Sequence, residues 1–236
     1  MKHIALIAVN FVREQRWPIL VLMGWVVVLS VLGLVVDPMA TREDILFIFK
    51  QGAIYGVVFA IFFGASAIYN ERKTRRILAV LSKSVGRGEY VTGLLAGIAL
   101  STGIYWFSMG ITSAWVLGAA GFSTSVLWEV ILCLVVACML SATVAVLFST
   151  VLNPLFATMA TFIFLGVPAV AGLRFGSRWA HSIPAYPLID VVLRSSFDSG
   201  LVVPWGSVVL AVLEAVLFWL IAWWVFAQRD IAVAVD

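Results

Sequence analysis

The sequence predicts an all-α membrane protein of six spanning helices with both termini on the cytoplasmic side. Three observations predict it. Charged residues make up 11% of the 236-residue chain and hydrophobic residues 63%, with a mean hydropathy of +1.11. A soluble domain carries about 25% charged residues, so this chain lacks the polar surface to face water all round and takes lipid as its solvent. The apolar residues fall into runs near the ~20 residues that a helix needs to cross a bilayer. The positive charge gathers on alternate sides of those runs, as the positive-inside rule requires.

The N-terminal stretch, residues 1–16, reads as an amphipathic interfacial helix. Ile4, Ile7, Ala8 and Phe11 follow i, i+3, i+4, i+7 spacing, with Lys2, Asn10, Arg13 and Glu14 largely elsewhere. It lacks the compact apolar core and small-residue cleavage site of a signal peptide, so the first span is expected to be its own insertion signal. That span is predicted from Trp17 to Val36, with Pro18 in the first turn, where a missing N–H costs nothing. The second runs from Ile45 to Tyr69. Its Gly52, Gly56, Ala60 and Gly64 recur every four residues, a spacing that lets another helix approach closely. The third is expected from Tyr90 to Ala120, the fourth from Val130 to Phe148, the fifth from Leu155 to Leu173 and the sixth from Trp205 to Ala227.

With the N-terminus inside, the cytoplasmic side holds ten of the fifteen Lys and Arg residues. Six of these lie in the single stretch NERKTRRILAVLSKSVGRGEYV, residues 70–91. The other side receives Arg42, Lys50, Arg174, Arg178 and Arg194. Trp17, Trp179, Trp205, Trp223 and Trp224 lie near expected helix ends, where amphipathic rings favour the interface. Residues 174–204 form an outward-facing insert, with YPLIDVVLRSSF as a short interfacial or re-entrant helix. The chain is thus one transmembrane domain, 1–236, and no soluble domain fits within it.

Chemistry-bearing residues are sparse. The two histidines, His3 and His181, fall on opposite expected sides, which leaves no paired histidines for a haem or quinone. There is no Gly-x-Ser-x-Gly elbow, no His-Glu-x-x-His and no phosphate loop ending in Gly-Lys-Ser/Thr. The chain therefore has no ATPase site of its own, and no enzymatic activity or bound cofactor is expected of it. Cys133 and Cys138 lie five apart in an apolar run and read as buried structural residues. The basic residues flank spans and form no continuous stripe, so no nucleic-acid partner is expected.

Glu214 falls near the middle of the sixth span and Lys50 in the outer part of the second. Ionisable groups at such depth usually face protein or a water cavity and are candidates for a substrate pathway. For Glu214 the alternatives are helix pairing or structural hydrogen bonding; Lys50 and Glu129 can snorkel to the interface.

Within residues 70–89, Ile77, Leu78, Leu81 and Val85 make one apolar face, opposed by Arg72, Lys73, Arg75, Arg76 and Lys83. On charge alone this is either a solvated positive-inside loop or a basic amphipathic helix in the headgroup plane. The segment resembles the cytoplasmic coupling segment of the ABC-2 type transporter permeases. That pattern runs Glu-Arg, two variable residues, Gly-Thr-Leu, then Leu-Ser-x-Pro-Val-Ser-Arg and Tyr-x-x-Gly. Glu71 and Arg72 match its start, Ile77-Leu78 its apolar step, and Leu81, Ser82, Val85, Arg87, Glu89, Tyr90 and Gly93 the remainder. The departures are Arg75 for glycine, Ser84 for proline, Gly86 for serine, and Leu94 where a lysine is common. The terminal FAQRDIAVAV is also similar to the Phe-x-x-Arg-Asp ending of that family.

The resemblance implies a permease subunit of an ATP-binding cassette exporter in a cell inner or plasma membrane. It implies a separate ATPase subunit that binds ATP and Mg, and a second permease chain, identical or not. Glu71, Arg72, Lys73, Arg75, Arg76, Leu78, Leu81, Ser82 and Arg87 would meet the ATPase, with Glu71 orienting the start of the coupling helix. Few fixed charges in the interior suit lipophilic or amphiphilic cargo. The alternative is a non-transport subunit or assembly factor of a membrane complex.

Overall fold

The structure, a computed structural model, describes residues 2–36, 42–73, 85–119, 127–175 and 205–228. Seven helices occupy them: α1 (Lys2–Glu14), α2 (Arg16–Val36), α3 (Arg42–Lys73), α4 (Arg87–Ala119), α5 (Leu127–Ser149), α6 (Pro154–Phe175) and α7 (Trp205–Gln228). No strand occurs among the described residues. Four stretches are long and apolar enough to cross a membrane: Gln51–Asn70, Arg87–Trp115, Leu127–Ser149 and Trp205–Gln228. The protein is an all-helical membrane protein. The expected insert at 174–204 lies almost wholly outside the described residues, as does the connector 74–84.

Local chemistry accounts for the helix ends. Asn153 caps α6: its Oδ1 accepts from the Phe156 N–H at 3.0 Å, and Pro154 takes the first helical position. Between α1 and α2 only Gln15 departs from helical form. Its N–H still donates to Phe11 O and its carbonyl still accepts from Ile19 N–H, both at 3.0 Å. The interruption falls three residues before Pro18, whose ring cannot continue the ladder. Hydroxyls buried within helices satisfy themselves on the preceding turn. Ser101 donates to Gly97 O, Ser141 to Ala137 O and Thr161 to Ala157 O, at 2.7–2.9 Å.

Helix α5 is the hub. It packs most extensively against α3 and α7, and also meets α4 and α6. Buried positions run all round it, including Leu134, Ala137, Cys138, Ala142 and Val146. The small residues of α3 set its distance from two neighbours rather than one. A Cβ placed on Gly64 would stand 2.7 Å from Ala142 O and 2.8 Å from Ala145 Cβ, both on α5. On Gly52 and Gly56 it would meet Met109 Cε at 2.6 Å and the Trp106 ring at 2.9 Å, both on α4. At Gly64 the two helix backbones come into van der Waals contact, while Gly52 and Gly56 make room for large side chains of α4; both kinds of packing drive association where lipid is as apolar as the side chains. Helix α7, by contrast, keeps only Val208, Ala211, Ala222 and Phe226 fully buried and turns a broad aliphatic and aromatic face outward.

The apolar stripe of α1 is covered by protein. Ala8 and Phe11 are buried, Ile4 and Ile7 half-buried, and the helix packs along α4. Ile7 sits where a Cβ on Gly93 would be, and Phe11 where one on Gly97 would be. The pairs keep the same order on both helices, so α1 and α4 run side by side in the same direction here. Phe11 also meets Phe63 of α3 edge-on, with ring centroids 6.1 Å apart.

Candidate functional site

The beginning of α4 follows directly on the connector from α3, and its first two turns are fastened to the last three turns of α7. Four contacts make the seam. The Arg87 guanidinium Nη1 donates to Ala227 O at 2.8 Å. Gly88 lies directly beneath the Trp223 indole, in space that any side chain at 88 would need. Tyr90 stacks on Phe226, centroids 6.1 Å apart and planes 19° apart. Trp219 Nε1 donates to Thr92 Oγ1 at 3.2 Å, and that hydroxyl donates onward to Gly88 O at 2.8 Å.

The sequence favours this arrangement locally. The last carbonyls of a helix have no partner within it and carry the negative end of its dipole, which a cation stabilises. Arg87 supplies that cation from another helix, half-buried at the junction. Glu89, in the first turn of α4, complements the positive end of its own helix. Tyr90 and Phe226 are both fully buried and fill the space between the two helix ends.

Of the residues expected to meet the ATPase, Arg87 joins the seam. Glu71, Arg72 and Lys73 belong to α3, which runs unbroken through them. Glu71 therefore stands in the last turn of α3 and not at the start of a separate helix, a correction to the expected capping role. The apolar register of α3 continues to Tyr69, and nothing in the next four residues disfavours helix strongly enough to end it. Arg75, Arg76, Leu78, Leu81 and Ser82 lie outside the described residues. Lys50 lies on α3, and its side chain is outside the described residues too.

Glu214 is half-buried on α7, beside Ala211 and Phe218, away from the seam. Its Oε2 is inaccessible and has no hydrogen-bond partner among the described residues. Cys133 and Cys138 are free thiols, both buried. Cys138 Sγ accepts from Trp106 Nε1 at 3.3 Å, tying the middle of α5 to α4. Among the described residues no three His, Cys, Asp or Glu side chains come together as a metal site.

Sequence reasoning missed Thr92, Trp219 and Phe226, and gave Trp223 only an interfacial role. The signal was present in Gly86-Arg87-Gly88. It is too short for a phosphate loop, yet Gly88 has a packing reason, because it leaves room for Trp223. Trp223 and Trp224, paired in sequence as interface aromatics, divide their tasks, Trp223 lying on Gly88 while Trp224 faces outward.

The second feature is an open groove of about 410 Å³ lined by α4, α5 and α7. Thr92 and Trp219 stand on its wall, so it begins where the seam ends. No family model matches the chain, and no curated protein matches it.

Proposed function

We propose that the chain is the membrane-spanning subunit of an ATP-driven exporter of the ABC-2 type, moving lipophilic or amphiphilic cargo across a cell inner or plasma membrane. Helices α2 to α7 are its six spans, with both termini in the cytoplasm. ATP and Mg belong to a separate ATPase subunit, and a second permease chain completes the pathway. In support, α2 and α6, at 21 and 22 residues, add two apolar helices of near-spanning length to the four long ones.

The observation that carries the reading is the Arg87–Ala227 bond. A partner engaging the basic stretch before α4 acts first on the start of α4, which follows it directly in the chain. Through Arg87, Gly88 and Tyr90 the same displacement reaches α7, and through Gly93 and Gly97 it reaches α1. A helix start so fastened passes a push to α7 and α1, as coupling to an ATPase requires.

The test is co-purification with an ATPase encoded beside this chain, followed by hydrolysis assays in vesicles. Replacing Glu71, or neutralising Arg72, Lys73, Arg75 and Arg76, is expected to lower cargo-stimulated ATP hydrolysis while the bundle stays folded. Full coupled activity in those variants would sink the reading.

A further inference from the structure

We propose that the cavity between α4, α5 and α7 is a binding site for one acyl chain of a membrane phospholipid. Its walls come from two turns of each helix: Ala96 and Ala99 on α4, Val136 and Met139 on α5, Val212 and Val216 on α7. Two turns of helix make a groove roughly 10 Å long. Alanines on the α4 wall hold the helices no closer than their neighbours dictate, and the space is left between them.

Three observations select the occupant. The wall offers nothing to a polar ligand. Thr143 Oγ1 donates to Leu140 O at 2.8 Å, and the Thr92 and Trp219 polar atoms satisfy each other. The remaining wall is aliphatic, so the occupant is hydrocarbon. Next, the mouth faces the lipid side of α7: Val212 and Val216 are each 44% exposed. A chain therefore enters sideways without leaving the hydrocarbon. Last, the volume lies within the range of small-ligand sites, ~300–1,000 Å³.

The preference of a chain for the cavity over bulk lipid is a packing preference. Transfer from lipid to an apolar wall gains little hydrophobic free energy, but an empty groove forfeits the dispersion contacts of every atom lining it. The bound chain ends against Trp219 and Thr92, beside the α4–α7 seam. This inference needs the membrane reading only and not the transport reading.

The experiment reconstitutes the full chain in phosphatidylcholine vesicles containing increasing fractions of a phospholipid with a diazirine-bearing acyl chain. After irradiation, labelled peptides are mapped by mass spectrometry. Labelling at Met139, Leu95 and Ala99 is expected to saturate at a low fraction of the probe. At Leu213 and Leu217, which face outward on α7, it should rise in proportion to the probe. Ala99→Phe and Ala96→Phe, which fill the groove, should reduce labelling of Met139 about tenfold and leave Leu217 unchanged. Proportional labelling of the cavity wall in the wild-type chain would overturn the proposal, whatever the variants do. Absence of label from the wall would overturn it as well. Neither outcome bears on ATPase co-purification, so the two readings fail separately.

Discussion

Arg87 and Ala227, 140 positions apart, meet at 2.8 Å, guanidinium to carbonyl, and join the start of α4 to the end of α7. The bond serves two needs at once. It satisfies a carbonyl that the last turn of α7 cannot satisfy itself, and it sets a cation at the negative end of that helix.

Arg87→Ala should loosen the last turn of α7. A hydrogen bond to a charged donor contributes about 1.5 kcal/mol at the lower end of its range, fitting a half-buried site, which corresponds to roughly a tenfold rise in local opening. Amide hydrogen exchange at residues 223–228 is expected to increase by that factor, with exchange in α5 unchanged. Arg87→Lys keeps the charge but not the reach of the planar fork, and should fall between the two.

Gly88→Leu tests the other half of the seam. The added side chain needs the space of the Trp223 indole, so the ring must leave. Trp fluorescence should shift, and Trp223→Ala should relieve the defect in the double variant. If Gly88→Leu is no worse alone than with Trp223→Ala, the indole does not lie over Gly88.

Gly64→Leu should destabilise the bundle, because Ala142 O and Ala145 Cβ already occupy the path of its Cβ. Overpacking of this kind costs about 1–3 kcal/mol. At about 2–4 °C per kcal/mol for a chain of this size, thermal unfolding in detergent should begin several degrees lower. Gly103→Ala and Gly24→Ala, which meet nothing within 4 Å, are expected to be neutral or stabilising.

Phe11→Ala should detach α1. The side chain is buried against Gly97 and Phe63, and loss of a buried Phe costs about 3–5 kcal/mol. Leu6→Ala, on the exposed face of the same helix, should cost under about 0.5 kcal/mol. Limited proteolysis between α1 and α2 reads the difference directly.

Cys133 and Cys138 should resist a membrane-impermeant maleimide in the folded protein, since both are buried, and react once it is denatured. Cys138→Ser retains an acceptor for Trp106 Nε1 and should be tolerated better than Cys138→Val, which leaves that N–H without one.

Much of the helix layout is legible in the chain itself. The ends of α5, α6 and α7 fall within three residues of their expected positions, because charges, prolines and an Asn cap bound each apolar run. The small residues on α3 are legible as close packing, though not that Gly52 and Gly56 serve α4 while Gly64 serves α5. The end of α3 is not legible in this way. Glu71 and the basic residues after it have the pattern of a helix start, whereas the helix before it simply continues.

The sequence by itself determined most of what depends on neighbours along the chain: the solvent it lives in, the helices, their approximate lengths apart from the end of α3, and the spacing of their small residues. Hydropathy and hydrogen bonding within a helix act over a few residues and can be read there. Only the tertiary structure decided which faces meet. That Ile7 lies on Gly93, that Trp223 covers Gly88 and that three helices leave a groove between them all depend on the shapes of surfaces distant in sequence. No local property of the chain encodes how such surfaces fit.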